Sequence, residues 1–189
     1  MVSSSLHPQK KYEEYAYVLD FVQRGRSQVI KGREGPIVQA VGEDMLTLLE
    51  ILAITGSDFD PGERIYIGKE GRAKIVSVLG KLTYEELTGD AKSELEPAVE
   101  QLVKNKEEKY VDIMNRLQPV TPRLHALELI PGIGKTFMHQ LIRERERKPF
   151  TSFQDLQERT GLRDPAKLIA KRIVEEMAGG SRINIFVRR

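Results

Sequence analysis

The segment Ile130-Pro131-Gly132-Ile133-Gly134-Lys135 is the feature that most constrains the fold of this chain. A proline and two glycines interrupt an apolar helical pattern, so the chain must turn here between two helices. The glycines lack a Cβ atom and allow positive φ angles, which lets backbone N–H groups approach a bulky ligand. The N-terminus of the following helix and the Lys135 ammonium are both electropositive. We therefore predict a phosphate-binding turn.

Two kinds of phosphate-binding turn contain Gly-Lys-Thr, and the spacing distinguishes them. A nucleotide-binding P-loop requires a further glycine at the position that Leu129 occupies. A P-loop also follows a buried strand, whereas Leu124, Leu127 and Ile130 lie on one face of a short helix. The P-loop interpretation fails on both counts. The simpler alternative to phosphate binding is a tight interhelical turn with no ligand.

The segment from Leu127 to Lys135 resembles the helix-hairpin-helix family of nucleic-acid-binding motifs. Residues 148–156, Gly161-Leu162 and a last apolar helix extend the resemblance to the tandem form, a helical domain spanning residues 121–178. In that family the first hairpin contacts the sugar-phosphate backbone without reading bases, and Ile133 would fill the gap between its helices. The resemblance allows a monovalent cation at this turn and implies no other cofactor. The implied nucleic-acid-binding residues are Gly132, Ile133, Gly134, Lys135 and Thr136.

The second hairpin departs from the glycine pattern of the first. Gly161-Leu162 is followed by Arg163, Asp164 and Pro165 rather than by a second glycine. Asp164 before Pro165 is a favourable N-cap and first-turn pair, and we expect its carboxylate to occupy the amides that a phosphate would need. The second hairpin is therefore predicted to be mainly structural, with Arg163 and Lys167 as outer phosphate contacts.

Charge is distributed unevenly along the chain. Residues 121–189 contain 14 lysines and arginines against 8 acidic residues, a net charge of +6, whereas residues 1–120 contain 16 against 20, a net charge of −4. The C-terminal part should therefore approach a polyanion first. The alternating signs of residues 143–148 are typical of an ordinary solvated helix surface.

Composition favours a soluble, cytoplasmic protein. No apolar run reaches the roughly 18 residues that a membrane span needs, so we expect no membrane association. The chain has no cysteine, which excludes disulfides and thiolate metal sites, and its three histidines are too scattered to suggest a metal cluster. The oligomeric state does not follow from the sequence.

Short apolar runs separated by glycine-rich turns dominate residues 1–82 and predict β structure. The segment Asp60-Pro61-Gly62-Glu63 contains the Pro-Gly pair of a type II turn. Four or five strands are expected, with candidates at residues 15–22, 36–41, 45–54, 64–68 and 73–79. This pattern suggests a small OB-like barrel, a fold that commonly binds single-stranded nucleic acid.

A basic, glycine-rich stretch of this barrel offers a second phosphate-binding element. We expect a loop here that follows a phosphate backbone. Tyr12, Tyr15 and Tyr17 offer rings for base stacking. The alternatives are a merely solvated loop and a core role for Tyr15 and Tyr17. The four cations of the loop are Arg24, Arg26, Lys31 and Arg33.

Residues 83–120 are predicted to form a helical connector between the two halves. Thr83 and Glu86 fit a capping box, and Pro97 is expected to open the next helix. Pro119 and Pro122 should end that helix and mark the boundary of the hairpin domain.

The C-terminal residues 179–189 contain an alternating apolar pattern at Ile183, Ile185 and Val187. Alternation of this kind predicts a half-buried strand. A helical hairpin domain offers no sheet to join, so we expect this strand to return to the N-terminal sheet.

Enzymatic alternatives rest on a few acidic residues. Base-excision glycosylases also carry this hairpin, and Lys135 and Asp155 match the spacing of their lysine and aspartate. Those enzymes need a much larger helical domain to hold a flipped base. A nuclease metal site at Asp58, Asp60 and Glu63 is a further alternative, although turn chemistry accounts for Asp60 more simply. We therefore expect no catalysis.

The predicted fold class is α+β, with an OB-like barrel, a helical connector and a C-terminal tandem helix-hairpin-helix domain. This combination resembles an uncharacterised archaeal family thought to bind nucleic acid. We expect a non-enzymatic, largely sequence-independent nucleic-acid-binding protein, with RNA slightly favoured over DNA because of the barrel. The alternatives are a protein–protein interaction module and, less favoured, a DNA-repair lyase or nuclease.

Overall fold

The structure of the chain is a computed structural model that describes residues 12–188. Residues 1–11 and Arg189, which the sequence analysis assigned to the barrel and to the C-terminal strand, lie outside the described residues. The chain divides into two compact units, Met1–Leu82 and Thr83–Arg189. The connector expected at residues 83–120 therefore belongs to the same unit as the hairpins.

The first unit contains a five-stranded antiparallel sheet in the spatial order β4-β1-β2-β3-β5. Each strand coincides with one of the expected apolar runs. The sheet curls into a half-barrel. Within residues 12–188 no ladder joins the edge strands β4 and β5, so the expected barrel is not closed. The strands are β1 (Tyr15–Arg26), β2 (Glu34–Gly42), β3 (Leu48–Ala53), β4 (Arg64–Tyr66) and β5 (Ile75–Lys81).

Alternate residues of the strands build the core of this unit, because successive side chains of a strand point to opposite faces. The predicted turn before β4 is present, since Gly62 has a φ of +81° and the Glu63 N–H donates to the Asp60 carbonyl at 3.0 Å. The core cluster comprises Ala16, Val18, Val38, Ala40, Leu49, Ile51, Ala53, Phe59, Ile67 and Ile75.

The second unit is helical apart from a short two-stranded ribbon. Helix α1 packs against α5 through a buried face, and Leu95, Val99 and Leu102 of this face are fully buried. Each such side chain contributes about 1.5–3 kcal/mol to stability. The elements are α1 (Gly89–Asn105), α2 (Glu107–Arg116), β6 (Pro119–Thr121), β7 (Leu124–His125), a 3-10 helix (Ala126–Leu129), α3 (Lys135–Arg147), α4 (Phe153–Thr160) and α5 (Pro165–Met177).

Of the two helix-start signals predicted near the beginning of this unit, the capping box is present and the proline signal is not a helix start. The capping box of Thr83 and Glu86 is present, with the Thr83 N–H donating to Glu86 Oε1 at 2.9 Å, but it encloses only a 3-10 turn. Pro97 lies inside α1 and does not open a helix, so that prediction is wrong. The helix begins upstream because the Thr88 hydroxyl accepts the Ala91 N–H and caps it there.

Residues 179–188 form no strand, and the prediction that this segment returns to the N-terminal sheet is wrong. Instead, Glu176 Oε1 accepts hydrogen bonds from the consecutive N–H groups of Ile185, Phe186 and Val187 at 2.9 to 3.0 Å. The Arg172 guanidinium, itself buried, donates to Glu176 Oε2 at 2.9 Å. One buried carboxylate thus supplies the acceptor that a neighbouring strand would otherwise provide, and the segment stays on its own unit.

Candidate nucleic-acid interface

The first glycine turn begins from a shorter helix than the sequence predicts. Leu124 and His125 pair with β6, so only Ala126–Leu129 is left to form a single 3-10 turn. Gly132 is exposed and has a φ of +87°, which an L side chain rarely adopts. A Cβ atom there would also lie 3.2 Å from Leu168 Cδ2 of α5. Glycine is therefore favoured at position 132 by its positive φ, and a Cβ atom there would also press on the Leu168 side chain.

Ile133 anchors the turn from inside. Its side chain is buried, as the gap-filling role requires, and its N–H donates to the Ile130 carbonyl at 3.1 Å. Neither the side chain nor the amide is therefore available to a ligand. The assignment of Ile133 as a nucleic-acid contact is corrected to a packing role.

Gly134 is the N-cap of α3 and faces solvent. Its φ of −88° suits any residue, and a Cβ atom built there meets no described atom within 4 Å. No side chain of the described residues caps the helix, so the amides of its first turn stay available. Thr136 is exposed in that same turn. The arrangement exposes hydrogen-bond donors and the positive end of a 13-residue helix at one point.

Lys135 is held beside the turn by Glu128. The Lys135 Nζ atom lies 3.1 Å from Glu128 Oε1 and 3.4 Å from the Arg123 carbonyl oxygen. Glu128 Oε2 accepts the His125 N–H at 2.8 Å, and this bond, followed by the contact with Lys135, lowers the pKa of Glu128. The Lys135 side chain remains 69% exposed, so a ligand can reach its charge.

His125 is the N-cap of the 3-10 helix. Its Nδ1 atom accepts the Leu127 N–H at 3.0 Å, which requires that nitrogen to be unprotonated. Burial, and then repulsion from the Arg145 guanidinium, lowers the pKa of His125. The neutral ring therefore helps to hold Glu128, and through it Lys135, in position.

The second hairpin repeats the left-handed glycine and the buried residue of the first but differs at its helix start. Gly161 has a φ of +76° and Leu162 is buried, matching Gly132 and Ile133. Asp164, the N-cap of α5, has a positive φ of 49° and makes no side-chain cap, so the predicted capping by its carboxylate is wrong. A left-handed residue directs its side chain differently from the extended residue that normally caps a helix.

Further differences weaken the second hairpin as an anion site. Pro165 has no N–H and removes a donor from the first turn of α5, and the exposed Asp164 carboxylate adds a negative charge there. Arg163 and Lys167 are both exposed, as outer contacts would need to be. The two hairpins thus share a left-handed glycine and a buried residue but differ in their suitability for phosphate.

The Asp155 carboxylate is engaged by neighbouring residues of the second hairpin. Its Oδ2 atom accepts the Thr151 N–H at 3.1 Å and lies 3.1 Å from Arg159 Nη1. The pKa of Asp155 is lowered mainly by the hydrogen bond from Thr151 and next by Arg159.

Arg145, expected on a solvated surface, instead donates to the carbonyls of Met114 and Leu117 at 2.9 and 2.7 Å and so caps the end of α2.

The basic stretch of the first unit is only partly a loop. Arg24 and Arg26 are exposed residues of β1, because β1 stays paired with β2 as far as Arg26, opposite Glu34, whereas Lys31 and Arg33 lie in the β1–β2 connection. The sequence analysis placed all four cations in one loop, and this is corrected for Arg24 and Arg26, which belong to a strand. All four cations are exposed.

The three tyrosines have different environments. Tyr17 is buried and its hydroxyl donates to Glu43 Oε1 at 3.1 Å, so base stacking by Tyr17 is wrong and the core alternative is right. The Arg64 guanidinium covers the ring of Tyr15, 3.7 Å from its centroid. Tyr12 is 74% exposed and presents a ring to solvent.

Arg123 is a candidate contact that the sequence analysis missed. It is exposed on the β6–β7 ribbon, and its carbonyl oxygen accepts from Lys135 Nζ. No local signal marks it, because only the tertiary fold brings a residue twelve positions upstream next to the glycine turn.

In residues 12–188 no three histidine, aspartate or glutamate side chains could together hold a metal ion. A monovalent cation at the turn would have to use backbone carbonyls.

No helix between Tyr12 and Arg188 is long and apolar enough to cross a bilayer.

A family model described as "Protein of unknown function (DUF655)" matches residues 12–188. The chain is 44% identical over 169 residues to the uncharacterized protein MJ0038 of Methanocaldococcus jannaschii, covering 89% of this chain and 76% of that protein. The crystal structure of Af1531 from Archaeoglobus fulgidus superposes with a TM-score of 0.81 at 40% identity, covering 93% of this chain and all of that one. The chain belongs to the DUF655 family.

Proposed function

We propose that this protein is a non-enzymatic, largely sequence-independent nucleic-acid-binding protein that grips the phosphate backbone at its first glycine turn. The proposed contacts are the exposed amides at Gly134 and the first turn of α3, the Lys135 ammonium and the Thr136 hydroxyl. Gly132 shapes the turn, and Arg123, Arg163 and Lys167 are proposed as outer contacts.

The observation that carries this proposal is the empty space in front of Gly134. Serine, threonine and aspartate at an N-cap bond the first amides with their own side chains, as Thr88 and Ser152 do at α1 and α4. Gly134 instead leaves the amides uncapped and its own surroundings clear to 4 Å. A phosphate oxygen is the group that such amides bind best.

We further propose that the two hairpins are a tandem helix-hairpin-helix domain. Two features support this interpretation, namely the paired left-handed glycines Gly132 and Gly161 and the buried residues that follow them, Ile133 and Leu162. The positive charge of residues 121–189 supports a polyanionic ligand for the same region.

RNA is proposed as the preferred ligand because of the first unit. Its partly open five-stranded sheet is compatible with an OB-like fold, whose β1–β2 and β4–β5 loops bind oligonucleotides in other proteins. In this chain, cations lie in or beside both connections: Arg24, Arg26, Lys31 and Arg33 at the first, and Lys69, Arg72 and Lys74 at the second.

The protein is proposed to lack lyase activity at Lys135 and Asp155. Lys135 is engaged with Glu128, and Asp155 is engaged with Thr151 and Arg159. Borohydride trapping on DNA that contains an abasic site tests this directly. We expect no adduct, and a covalent adduct that disappears in Lys135→Ala would establish the enzymatic alternative.

A filter-binding comparison of duplex DNA, single-stranded DNA and structured RNA tests the proposed function. We expect binding to all three at low salt, with RNA bound most tightly. Absence of binding to every one of them would refute the proposal and favour the protein–protein interaction module. Tighter binding to duplex DNA than to RNA would remove the role assigned to the sheet.

A further inference from the structure

The connection between β1 and β2, residues 27–33, forms a rigid tip. A carboxylate that is 1% exposed, that of Glu50 on β3, accepts hydrogen bonds from Ser27 Oγ and from the Gln28 N–H. Ser27 Oγ in turn accepts the N–H groups of Val29 and Ile30 at 3.1 and 2.8 Å. The tip is therefore tied to the sheet by a buried group and does not need ordering when it binds a ligand.

The tip presents apolar side chains to solvent. Val29 and Ile30 are 38% and 43% exposed. Val29 rests on β5, where Gly80 makes room for it, since a Cβ atom at position 80 would lie 2.7 Å from Val29 Cγ1. Ile30 is thus the more accessible of two neighbouring aliphatic side chains that the fold keeps at the surface.

Positive charges flank these apolar side chains in the sequence. Residues 21–33 contain four cations and no carboxylate, whereas residues 1–82 as a whole contain equal numbers of acidic and basic residues, eleven of each. Arg26 pairs with Glu34 at 3.2 Å, but both side chains are largely exposed, and such a pair exchanges readily for another anion. The four cations around the tip are Arg24, Arg26, Lys31 and Arg33.

We propose that this tip binds unpaired bases of a single-stranded nucleic acid, with Ile30 and Val29 against the base faces and the flanking cations on the phosphates. The inference rests on the proposed function and extends it, because it adds a direct contact between the aliphatic tip and unpaired bases. An aliphatic tip flanked by cations matches a chain that carries apolar rings on an anionic backbone.

Single strands are favoured over duplexes on energetic grounds. In a duplex the base faces are stacked, and inserting a side chain costs a few kcal/mol per step. A single strand exposes the same faces at little cost. Two half-exposed aliphatic side chains offer a bilayer much less apolar surface than an amphipathic helix does, so a lipid surface is the weaker candidate.

The test compares Ile30→Ser with Met45→Ser. Met45 is a matched control because it is 37% exposed and lies in the β2–β3 connection, outside the tip. The probe is a short oligo(U) RNA that carries one 2-aminopurine, alone and annealed to its complement. We expect Ile30→Ser to bind the single strand about three- to tenfold more weakly and to lose the fluorescence change of 2-aminopurine. Duplex binding by Ile30→Ser, and all binding by Met45→Ser, should match the parent protein.

Each remaining outcome contradicts a stated part of the inference. If the parent binds the RNA and Ile30→Ser binds it equally well with the same fluorescence change, the tip is not the site, and the proposed function stands. Equal weakening on single strand and duplex would show that the tip does not contact bases. If the parent binds no probe, both proposals fail. Sedimentation with phosphatidylglycerol vesicles that Ile30→Ser abolishes would replace the nucleic acid with a lipid surface.

Discussion

The Lys135 ammonium lies 3.1 Å from one carboxylate oxygen of Glu128, whose other oxygen accepts the His125 N–H. The charge proposed to meet a phosphate is therefore partly balanced before any ligand arrives. We expect Glu128→Gln to tighten nucleic-acid binding by about two- to fivefold, because it removes the negative charge that lies 3.1 Å from Lys135 Nζ, while glutamine can still accept the His125 N–H. Fluorescence anisotropy with labelled RNA measures the change.

The matched control is Glu146→Gln, which removes one exposed negative charge from α3 away from the turn. An equal gain in both variants would mean that net charge, and not the release of Lys135, explains the effect.

Gly134→Val should weaken binding about tenfold without unfolding the second unit. The valine Cβ would meet no described atom within 4 Å and the φ of −88° accepts it, so the fold tolerates a side chain that blocks the approach of a ligand. The loss corresponds to about one charge-assisted hydrogen bond. Gly89→Val is the control, since Gly89 is also exposed and unobstructed at a helix start but is preceded by the Thr88 cap. Unchanged affinity of a folded Gly134→Val protein would exclude this site.

Binding should depend strongly on salt. Each neutralised phosphate contributes about −0.9 to the log–log slope on duplex DNA and about −0.7 on single strands, so a handful of contacts predicts a slope between about −3 and −5. Lys135→Ala should make that slope less negative by about one unit. A titration with KCl measures both values. An affinity that barely changes with salt would point to a protein partner.

Asp164→Asn should improve binding to duplex DNA. Asparagine accepts the left-handed conformation that Asp164 adopts at a φ of 49°, and it removes the negative charge from the start of α5. We expect a gain of about two- to fivefold and a duplex salt slope that is more negative by about 0.9, as one further phosphate is contacted. Glu146→Gln again controls for net charge. Binding identical to that of the parent would show that the second hairpin lies away from the ligand.

The second unit should lose stability as the pH falls from 7 to 5.5. The pKa of His125 is lowered in the folded protein, so the unfolded state binds a proton first. The stabilisation by the neutral ring is complete above the ordinary histidine pKa of about 6.5 and is lost as the pH falls through the folded value. Carboxylates with lowered pKa values, such as Glu128, remain ionised in this window.

Urea unfolding followed by circular dichroism at the two pH values measures this loss. His125→Asn should flatten the dependence, because the asparagine oxygen accepts the Leu127 N–H at either pH. A parent protein equally stable at both pH values would contradict the capping role of the imidazole.

Local patterns in the sequence predicted most of the elements. The five strands appear where alternating apolar residues are bounded by glycine turns, and the Pro61-Gly62 turn has the expected geometry, because side-chain alternation and glycine φ angles are properties of a few adjacent residues. The glycine turn before α3 was predictable for the same reason. The burial of Ile133 followed from the family resemblance.

The tertiary structure decided which polar groups, distant in the sequence, become hydrogen-bond or ion-pair partners. The alternation of Ile183, Ile185 and Val187 is that of a strand, but the N–H groups of residues 185–187 meet the Glu176 carboxylate. Likewise, the pairing of Lys135 with Glu128 and the failure of Asp164 to cap α5 follow from backbone directions that no local pattern encodes. Periodicity in the sequence reports which face of a segment is apolar. The partner of a buried polar group depends on which atoms the folded chain brings within hydrogen-bonding distance.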